Sequence, residues 1–326
     1  MVHHGTDVDT RPSCRARWLA VPTAEARSEL DSESEPQCEP EITIVIATRN
    51  RRGELLRTLG RIHHSSPGSP VIVVDNGSTD GTADAVRGIG LPGITVVEAG
   101  RNLGAAGRTL GVRRAATPYV AFSDDDSWWA PGAVARAAAA FDACPRLALV
   151  AARVLVGADE RLDPTCRAMR HSSLPPEPDL PGPPVLGFLA CAAVVRRHAY
   201  LDVGGFHHVL GIGAEEELLA LDLADAGWGL AYLDDVVAHH HPSRSRNGQS
   251  RRRRHQANRV LITWLRRPAR VVVKRTAAAA LAGHESRRAV GDALAAIGVV
   301  LRERRVIAPA LESRVRLLEA SVTVSG

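Results

Sequence analysis

The chain has 326 residues, of which 45% are hydrophobic and 24% charged, so it can bury a full core and is too apolar for wholesale disorder. No apolar run approaches the roughly 20 residues of a spanning helix, and the five cysteines include no C-x-x-C pair, which argues against an integral membrane protein and a zinc ribbon. The net charge is +5, with most of the surplus arginine in residues 244–275, so a local basic surface is expected.

Residues 1–40 show no hydrophobic periodicity and end in the polar run SELDSESEPQCEPE, which predicts a disordered N-terminal arm. The first residues include no basic segment leading into an apolar stretch, so they do not resemble a secretory signal. With cysteines that we expect to be reduced, these features predict a cytoplasmic protein.

Strands and helices are predicted to alternate from residue 42 onward. The predicted strands are ITIVIAT (42–48), PVIVVD (70–75), ITVVE (94–98) and YVAFSDDD (119–126), and the predicted helices cover 54–62, 80–88 and 102–115. This alternation indicates an α/β fold with a mainly parallel central sheet flanked by helices. Ligands of such sheets bind beyond the carboxyl ends of the strands, where Thr48, Asn50, Asp75 and the acids of 124–126 fall.

The second half of the chain is less regular. It is predicted to contain a strand over 149–156, a Pro-rich loop over 171–184 that we interpret as a possible active-site flap, an extended segment over 185–195, a helix over 213–227 and an extended segment over 231–243. The run RRRR (251–254) and several Ala/Arg-rich helical stretches follow. Four adjacent arginines could hold a diphosphate or an anionic lipid head group, or form a solvated basic loop.

The triplet Asp124-Asp125-Asp126 closes an apolar strand. Adjacent carboxylates repel one another, so such a cluster at a buried strand end is typical of a divalent-cation site, although a solvated acidic turn is the alternative. Because side chains alternate along a strand, Asp124 and Asp126 can grip one ion together while Asp125 points elsewhere.

Six motifs occur in the order seen in one enzyme family. They are TRN (48–50), VVDNGSTDGT (73–82), RNLGAAGRTLG (101–111), SDDDSWWAPGAV (123–134), GGF (204–206) and GAEEELLALDLADAGW (213–228). Over residues 41–242 the chain therefore resembles the family-2 inverting glycosyltransferases of the GT-A fold. The resemblance implies a nucleotide-binding half (41–126) and an acceptor half (127–242), with a basic loop and C-terminal helices over 243–326 outside it.

The resemblance also implies roles for the residues at the strand ends. Asp75 would contact the nucleotide base, with Thr48 and Asn50 lining the same pocket, and Arg108 would face the nucleotide or its diphosphate. Asp124 and Asp126 match the D-x-D motif that binds Mn²⁺ or Mg²⁺, with Asp126 as the direct ligand. We count Asp124 and Asp125 among the residues that contact the nucleotide sugar.

Two further groups would complete the catalytic site by this resemblance. Counting back from Gly227 maps the family's acidic pair onto Glu215 and Glu216, with Glu216 as the base; Glu217 is a possible substitute, and a solvated helix start is the alternative reading. Related enzymes often add a histidine to the metal site. His239 and His241 share a strand face and register favours His239, although a structural or exposed histidine cluster is possible.

The predicted activity is transfer of a sugar from a nucleoside-diphosphate sugar to a hydroxyl of a glycan or lipid-linked saccharide, with no nucleic acid partner. A nucleotidyltransferase is the first rival, but the place of its triphosphate loop reads TRNRRGE. A non-catalytic basic binding module is the second rival. The segment WLRRPARVVVKR (264–275) could touch an anionic membrane from the cytoplasmic side, or pack on the catalytic domain.

Overall fold

The computed structural model describes residues 41–242 and 248–324, so the predicted arm over 1–40 and the first part of the predicted basic loop, residues 243–247, lie outside the described residues. The strands are β1 (Ile42–Thr48), β2 (Val71–Asp75), β3 (Ile94–Glu98), β4 (Tyr119–Ser123), β5 (Ser127–Trp129), β6 (Leu147–Val156), β7 (Arg161–Leu162), β8 (Ala193–Arg196) and β9 (Gly229–His240). The helices before β9 are α1 (Arg52–Ser65), α2 (Thr82–Arg87), α3 (Gly107–Arg114), α4 (Ala133–Ala143), α5 (Pro164–Arg170), α6 (Arg197–Asp202) and α7 (Glu215–Asp225). Those after β9 are α8 (Gly248–Arg266), α9 (Ala269–Leu281), α10 (His284–Leu294), α11 (Ile297–Glu303) and α12 (Pro309–Val324).

All nine strands form one sheet in the order β3-β2-β1-β4-β8-β6-β9-β5, with β7 on β6. The first four strands pair in parallel, and so do β6 and β9. The other pairings are antiparallel, because β8 runs against both β4 and β6 and because β5 and β7 return along β9 and β6. The predicted α/β class with flanking helices is confirmed, while the parallel arrangement dominates only the nucleotide-binding half.

Helix α3 lies unusually close to β1 and β2 because two of its inward positions are glycines. A Cβ on Gly111 would come within 2.5 Å of Val45 Cγ1, and one on Gly107 within 2.5 Å of Asn76 Oδ1. The small residues of the predicted helix therefore allow it to pack directly on β1 and β2. Its close approach sets Arg108, near the start of the helix, beside the carboxyl ends of the strands.

The segment predicted as extended over 185–195 is mostly not a strand. Only Ala193–Arg196 pairs in the sheet, after a 3₁₀ turn over Ala190–Ala192. Strand β4 offers β8 only the residues Tyr119–Ala121 as partners, so the preceding apolar residues leave the sheet and pack at its end. The Pro-rich loop over 171–184 has no helix or strand, and its Leu180 is buried against β9 beside Gly229.

The C-terminal helices pack on the catalytic half through a second hydrophobic cluster. Leu218 and Leu221 of α7 belong to it, together with Leu261 and Leu265 of α8. Arg267 is 2% exposed and pairs with two carboxylates of α12, Glu312 Oε2 at 2.6 Å and Glu319 Oε1 at 2.6 Å. The first part of the segment 264–275 is therefore a packed element. The RRRR run lies within α8 and not in a loop.

Among the described helices, none combines the length and the apolar character that crossing a membrane requires. Cys166 and Cys191 are buried free thiols, as expected. Cys144 is disulfide-bonded, so the expectation that every cysteine is reduced is wrong for that residue.

Candidate active site

The carboxyl ends of β1, β2 and β4 meet at one edge of the sheet and bring the predicted polar residues together. Thr48 and Asp75 are direct partners in the β1–β2 ladder. The Thr48 hydroxyl donates a 3.0 Å hydrogen bond to Asp125 Oδ2, just beyond β4. Three separate segments of sequence thus converge on one site, as parallel β-α-β topology requires.

The loops that follow β1 and β2 are hydrogen-bonded to each other. Asp75 is 3% exposed and accepts hydrogen bonds from the backbone N–H and the hydroxyl of Ser78. Asn50 adopts a positive φ of 54°, which directs its Oδ1 to accept a 2.7 Å bond from the Thr79 N–H. These contacts hold Asn50, Asp75 and Ser78 as a preformed polar wall.

Two arginines neutralise the acid triplet. Arg51 donates to Asp125 Oδ1 at 3.1 Å and to Asp126 Oδ2 at 3.2 Å, while Arg108 pairs with Asp124. Burial raises the pKa of Asp125 to about 6, an effect that Arg51 opposes and the neighbouring acids reinforce. The arrangement explains how a folded protein tolerates three adjacent carboxylates at a largely buried strand end.

The histidines at the end of β9 divide between two faces of the strand. His239 and His241 do share a face, but they pack around Trp128, at ring distances of 5.2 and 4.7 Å. His239 Nδ1 also lies 3.1 Å from Glu160. The preference for His239 and His241 beside the acids therefore does not match the geometry.

The middle histidine of the run faces the acids instead. His240 Nε2 lies 3.3 Å from Asp126 Oδ1. Register explains the difference, because Trp128 stands opposite His239 in the β5–β9 ladder and Ser127 stands opposite His240. Directly opposed residues share a face of the sheet, so His240 lies on the side of Ser127, whose hydroxyl accepts a 2.7 Å bond from the Asp124 N–H.

One group of possible metal ligands in the described part of the chain includes two residues outside the predicted set, Cys191 and His240. Asp124, Cys191 and His240 each offer a ligand atom, and these atoms lie within 4.8 Å of one another. Within the described residues, the buried His240 Nε2 makes no hydrogen bond. Carboxylate oxygens and a neutral imidazole nitrogen are suitable ligands for Mn²⁺, and the residues present therefore fit a divalent cation.

The three glutamates at the start of α7 have different surroundings. The Glu215 carboxylate turns back to accept a hydrogen bond from the Gly213 N–H, and Glu217 lies at the surface, 3.5 Å from Arg259. Glu216 is half-buried and lines a pocket that includes no residue of the acid triplet. Burial and the charge of Glu215 raise the pKa of Glu216 to about 7.

Arg108 links these glutamates to the acid triplet electrostatically. Burial disfavours its charged form, yet the negative charges of Asp124, Glu215 and Glu216 hold the pKa of Arg108 above its ordinary value. One buried guanidinium thus faces carboxylates from β4 and from α7 at the same time.

A comparison with known families agrees with this geometry. Residues 43–204 match the family described as Glycosyl transferase family 2. These residues form a glycosyl transferase family 2 domain. The match includes nearly all of β1, the strands β2 to β8 and the acid triplet, and it ends at Gly204, before α7 and β9.

Known relatives of the domain include the pre-mycofactocin glycosyltransferase of Mycobacterium tuberculosis, from strains CDC 1551 / Oshkosh and ATCC 25618 / H37Rv. It is 33% identical over 224 residues, which cover 65% of this chain and 45% of the relative. The chain thus spans about half the length of the curated relatives it matches.

Solved glycosyltransferases share the fold at low sequence identity. The mannosyltransferase PcManGT from Pyrobaculum calidifontis, in complex with GDP-Man and Mn²⁺, is 22% identical, covers 95% of this chain and 91% of its own, and gives a TM-score of 0.55. GalNAc-T7 with UDP, GalNAc and Mn²⁺ is 14% identical, covers 77% and 52%, and gives 0.57. TarS 1–349 of S. aureus, in complex with UDP-GlcNAc, is 15% identical, covers 68% and 66%, and gives 0.52. The described chain has the GT-A fold.

The sequence analysis names most of the residues that meet at this edge of the sheet, but it does not name Arg51 or His240, and it does not place Cys191 there. Arg51 directly follows the TRN motif at the end of β1, and this position was an available signal. Cys191 is interpreted from sequence as a small core hydrophobe, and nothing near it in sequence indicates the acids that surround it. His240 is missed because the prediction assigns His239 and His241, on the opposite face of the strand, to the metal site.

Proposed function

We propose that this protein is an inverting glycosyltransferase that moves a sugar from a nucleoside-diphosphate sugar to an acceptor hydroxyl. One observation carries the proposal: Glu216, with a pKa near neutrality, lines a pocket and interacts electrostatically with Arg108, which pairs with Asp124. A single-displacement transferase needs a base with this position, between donor and acceptor. We extend the catalytic domain past the family match to residue 242, because α7 and β9 supply Glu216 and His240.

The donor would bind along the carboxyl ends of β1, β2 and β4. Asp75, with Thr48 and Asn50 beside it, offers a buried carboxylate to the ring N–H of a nucleotide base. The guanidinium groups of Arg51 and Arg108 now pair with the acid triplet, and such groups also bind phosphate oxygens. Donor binding on this side therefore involves exchange of ion-pair partners.

A divalent cation would be held by Asp126 and His240, with Asp124 beside them. When bound there, Mn²⁺ or Mg²⁺ would neutralise the charge of the leaving diphosphate. His240 can serve only as a neutral imidazole, since the nitrogen that faces Asp126 must offer its lone pair. Burial raises the pKa of the Cys191 thiol well above its ordinary value.

Glu216 would accept the proton of the acceptor hydroxyl. The acceptor oxygen then bonds to the anomeric carbon as the bond from that carbon to the diphosphate oxygen breaks. The proton moves to the Glu216 carboxylate, and the nucleoside diphosphate leaves on the opposite face of the sugar. One displacement at one carbon inverts its configuration.

Peripheral contact with an anionic membrane is a further part of the proposal. Its support is α9, where no residue is buried: Val273 is 69% exposed and Leu281 is 84% exposed. Arg270 and Lys274 are exposed on the same helix. Apolar and basic side chains together suit the boundary of an anionic bilayer.

A panel of UDP-, GDP- and dTDP-sugars, each incubated with the full chain and Mn²⁺, tests the activity. We expect slow release of a nucleoside diphosphate from one donor class. Release of pyrophosphate from a nucleoside triphosphate and a sugar phosphate would instead identify a nucleotidyltransferase, and no turnover or binding of any nucleotide would contradict the proposal.

A further inference from the structure

An open pocket of about 310 Å³ lies against Glu216 and is walled mainly by apolar side chains. Its walls come from five parts of the chain that are far apart in sequence: α5, the segment before β8, the start of α7, α8 and helix α12. The apolar side chains that matter most here are Met169, Val185, Leu186, Phe188 and Leu318.

Apart from Glu216 and His255, the polar side chains of this pocket are already engaged or lie at its edge. The Ser172 hydroxyl donates a 2.6 Å hydrogen bond to the Pro184 carbonyl. Glu217 faces Arg259 at 3.5 Å, and Thr165 is exposed at the start of α5. A saccharide buried here would leave hydroxyl groups without partners, and each such group costs free energy.

The charge of the pocket also restricts its ligand. Glu216 and Glu217 both line it, whereas the arginines of the donor side do not. An anionic group placed beside Glu216 would be repelled, since like charges at short range in a desolvated site are strongly unfavourable. The pocket therefore suits a neutral or cationic compound.

We propose that the acceptor is a hydroxyl compound with a compact apolar body, such as an aromatic or alicyclic alcohol, whose body fills this pocket and whose hydroxyl meets Glu216. The inference rests on the proposed transferase function. An apolar cavity of about 150 Å³ holds a benzene ring, so a pocket of about 310 Å³ accommodates one or two rings. Because the pocket is open, the rest of a larger acceptor can extend into solvent.

The C-terminal helices take part in this recognition. Leu318 belongs to α12, and His255 of α8 lines the same pocket. A 3.3 Å hydrogen bond between Ser173 and Ser321 ties the Pro-rich loop to α12 beside it. Residues outside the family-2 match therefore help to select the acceptor.

Two variants of the full chain test the pocket. Gly187 lines it, and a Cβ at this position would meet no atom within 4 Å, so Gly187→Leu is expected to reduce the volume of the pocket. Leu318→Gln makes its wall polar. The matched control is Leu317→Gln, because Leu317 is adjacent and 48% exposed.

The probes are 2-naphthol and cyclohexylmethanol as apolar acceptors and methyl glucoside as a sugar acceptor. In the wild type, we expect both apolar alcohols to be glycosylated and methyl glucoside to be inert. In Gly187→Leu and Leu318→Gln, KM for 2-naphthol should rise on the order of tenfold or more, while Leu317→Gln behaves as wild type. Glycosylation of methyl glucoside but of neither apolar alcohol would overturn the inference, and so would donor hydrolysis that no apolar alcohol accelerates.

Direct binding separates this inference from the proposed function. Affinity of 2-naphthol, measured by calorimetry, should fall in the two pocket variants and not in the control, while affinity for nucleoside diphosphate stays the same. If no donor is consumed, the proposed function fails. Equal 2-naphthol affinity in all four proteins would then overturn the pocket assignment independently.

Discussion

The two sides of Glu216 are built in opposite ways. Toward the donor, the groups are charged and mutually paired, and they follow the carboxyl ends of neighbouring strands, as Arg51 follows β1 and Asp125 follows β4. Toward the pocket, the walls are apolar and come from helices and loops as distant as Met169 and Leu318. The family-2 match covers the acid triplet and also Met169 of the pocket wall, whereas Glu216 and Leu318 lie beyond it. If the pocket binds the acceptor as proposed, acceptor choice depends in part on residues outside the family match.

The largest expected effect comes from the group shared by both sides. Glu216→Gln keeps the size of the side chain but removes the proton acceptor, so transfer should fall by a factor on the order of 10² to 10⁴ with donor affinity nearly unchanged. Initial rates and calorimetry measure the two quantities.

Glu215→Gln and Glu217→Gln are the controls for this assignment. Glu215 is held by the Gly213 N–H and Glu217 faces Arg259, so both variants should retain most of the transfer rate. If Glu216→Gln transfers sugar at nearly the wild-type rate and one of the two control variants is inactive, the base is the residue changed in that control. The two sides compared above would then not meet at Glu216.

The donor side is tested next by the histidines of β9. His240→Ala should weaken Mn²⁺-dependent binding of nucleoside diphosphate by roughly 10- to 100-fold, and Asp126→Ala by at least as much. His239→Ala is the matched control, since that ring stacks on Trp128 at 5.2 Å. Calorimetry with and without Mn²⁺ measures these affinities. A larger loss of affinity in His239→Ala than in His240→Ala would show that His239, and not His240, belongs to the metal site.

The pH profile sharpens the role of Glu216. Its pKa is raised to about 7, and only the ionised carboxylate accepts a proton. The transfer rate should therefore rise with pH through about 7, falling roughly tenfold per pH unit below it, and should level off above it. Initial rates between pH 5 and 9 test this, and a wild-type profile without any break near 7 would count against Glu216.

The smallest expected effect concerns the outer surface of the acceptor side. Basic residues contribute only about 1 kcal/mol each at an anionic bilayer, so α9 should support weak, salt-sensitive binding to anionic vesicles. Flotation at low salt should show more protein on anionic than on neutral vesicles, and less after Lys274→Glu. Equal recovery of the protein on anionic and neutral vesicles would contradict the proposed membrane contact.

The sequence predicts the donor side well because its chemistry is local. A buried strand followed by polar residues positions those residues at the sheet edge, and parallel order then brings Thr48 and Asp75 side by side. His240 depended on the register between β5 and β9, and a one-residue change of register exchanges the faces of a strand. Arg51 required knowing which acids its side chain can reach.

The acceptor side could not be derived in this way. The apolar segment over 185–195 was predicted to be extended, and neither its partners nor the pocket beside it follow from periodicity. Leu318 is one of many apolar residues on a C-terminal helix, and only tertiary packing distinguishes it from its exposed neighbour Leu317. Apolar walls formed by distant segments leave no local signature.

The buried pairing of Arg267 with Glu312 and Glu319 has a consequence for divergence among related chains. These two carboxylates are seven residues apart on α12, and a single guanidinium forms ion pairs with both. The two ion pairs therefore fix both the rotation of the helix about its axis and its position along that axis. Glu319 is next to Leu318, so the position of α12 that allows these ion pairs also determines which side chain lines the pocket. A change of one turn in α12 would exchange the pocket residue without altering any catalytic group. Related chains could thus acquire new acceptors through a shift of α12 along its axis, with the donor-side residues unchanged.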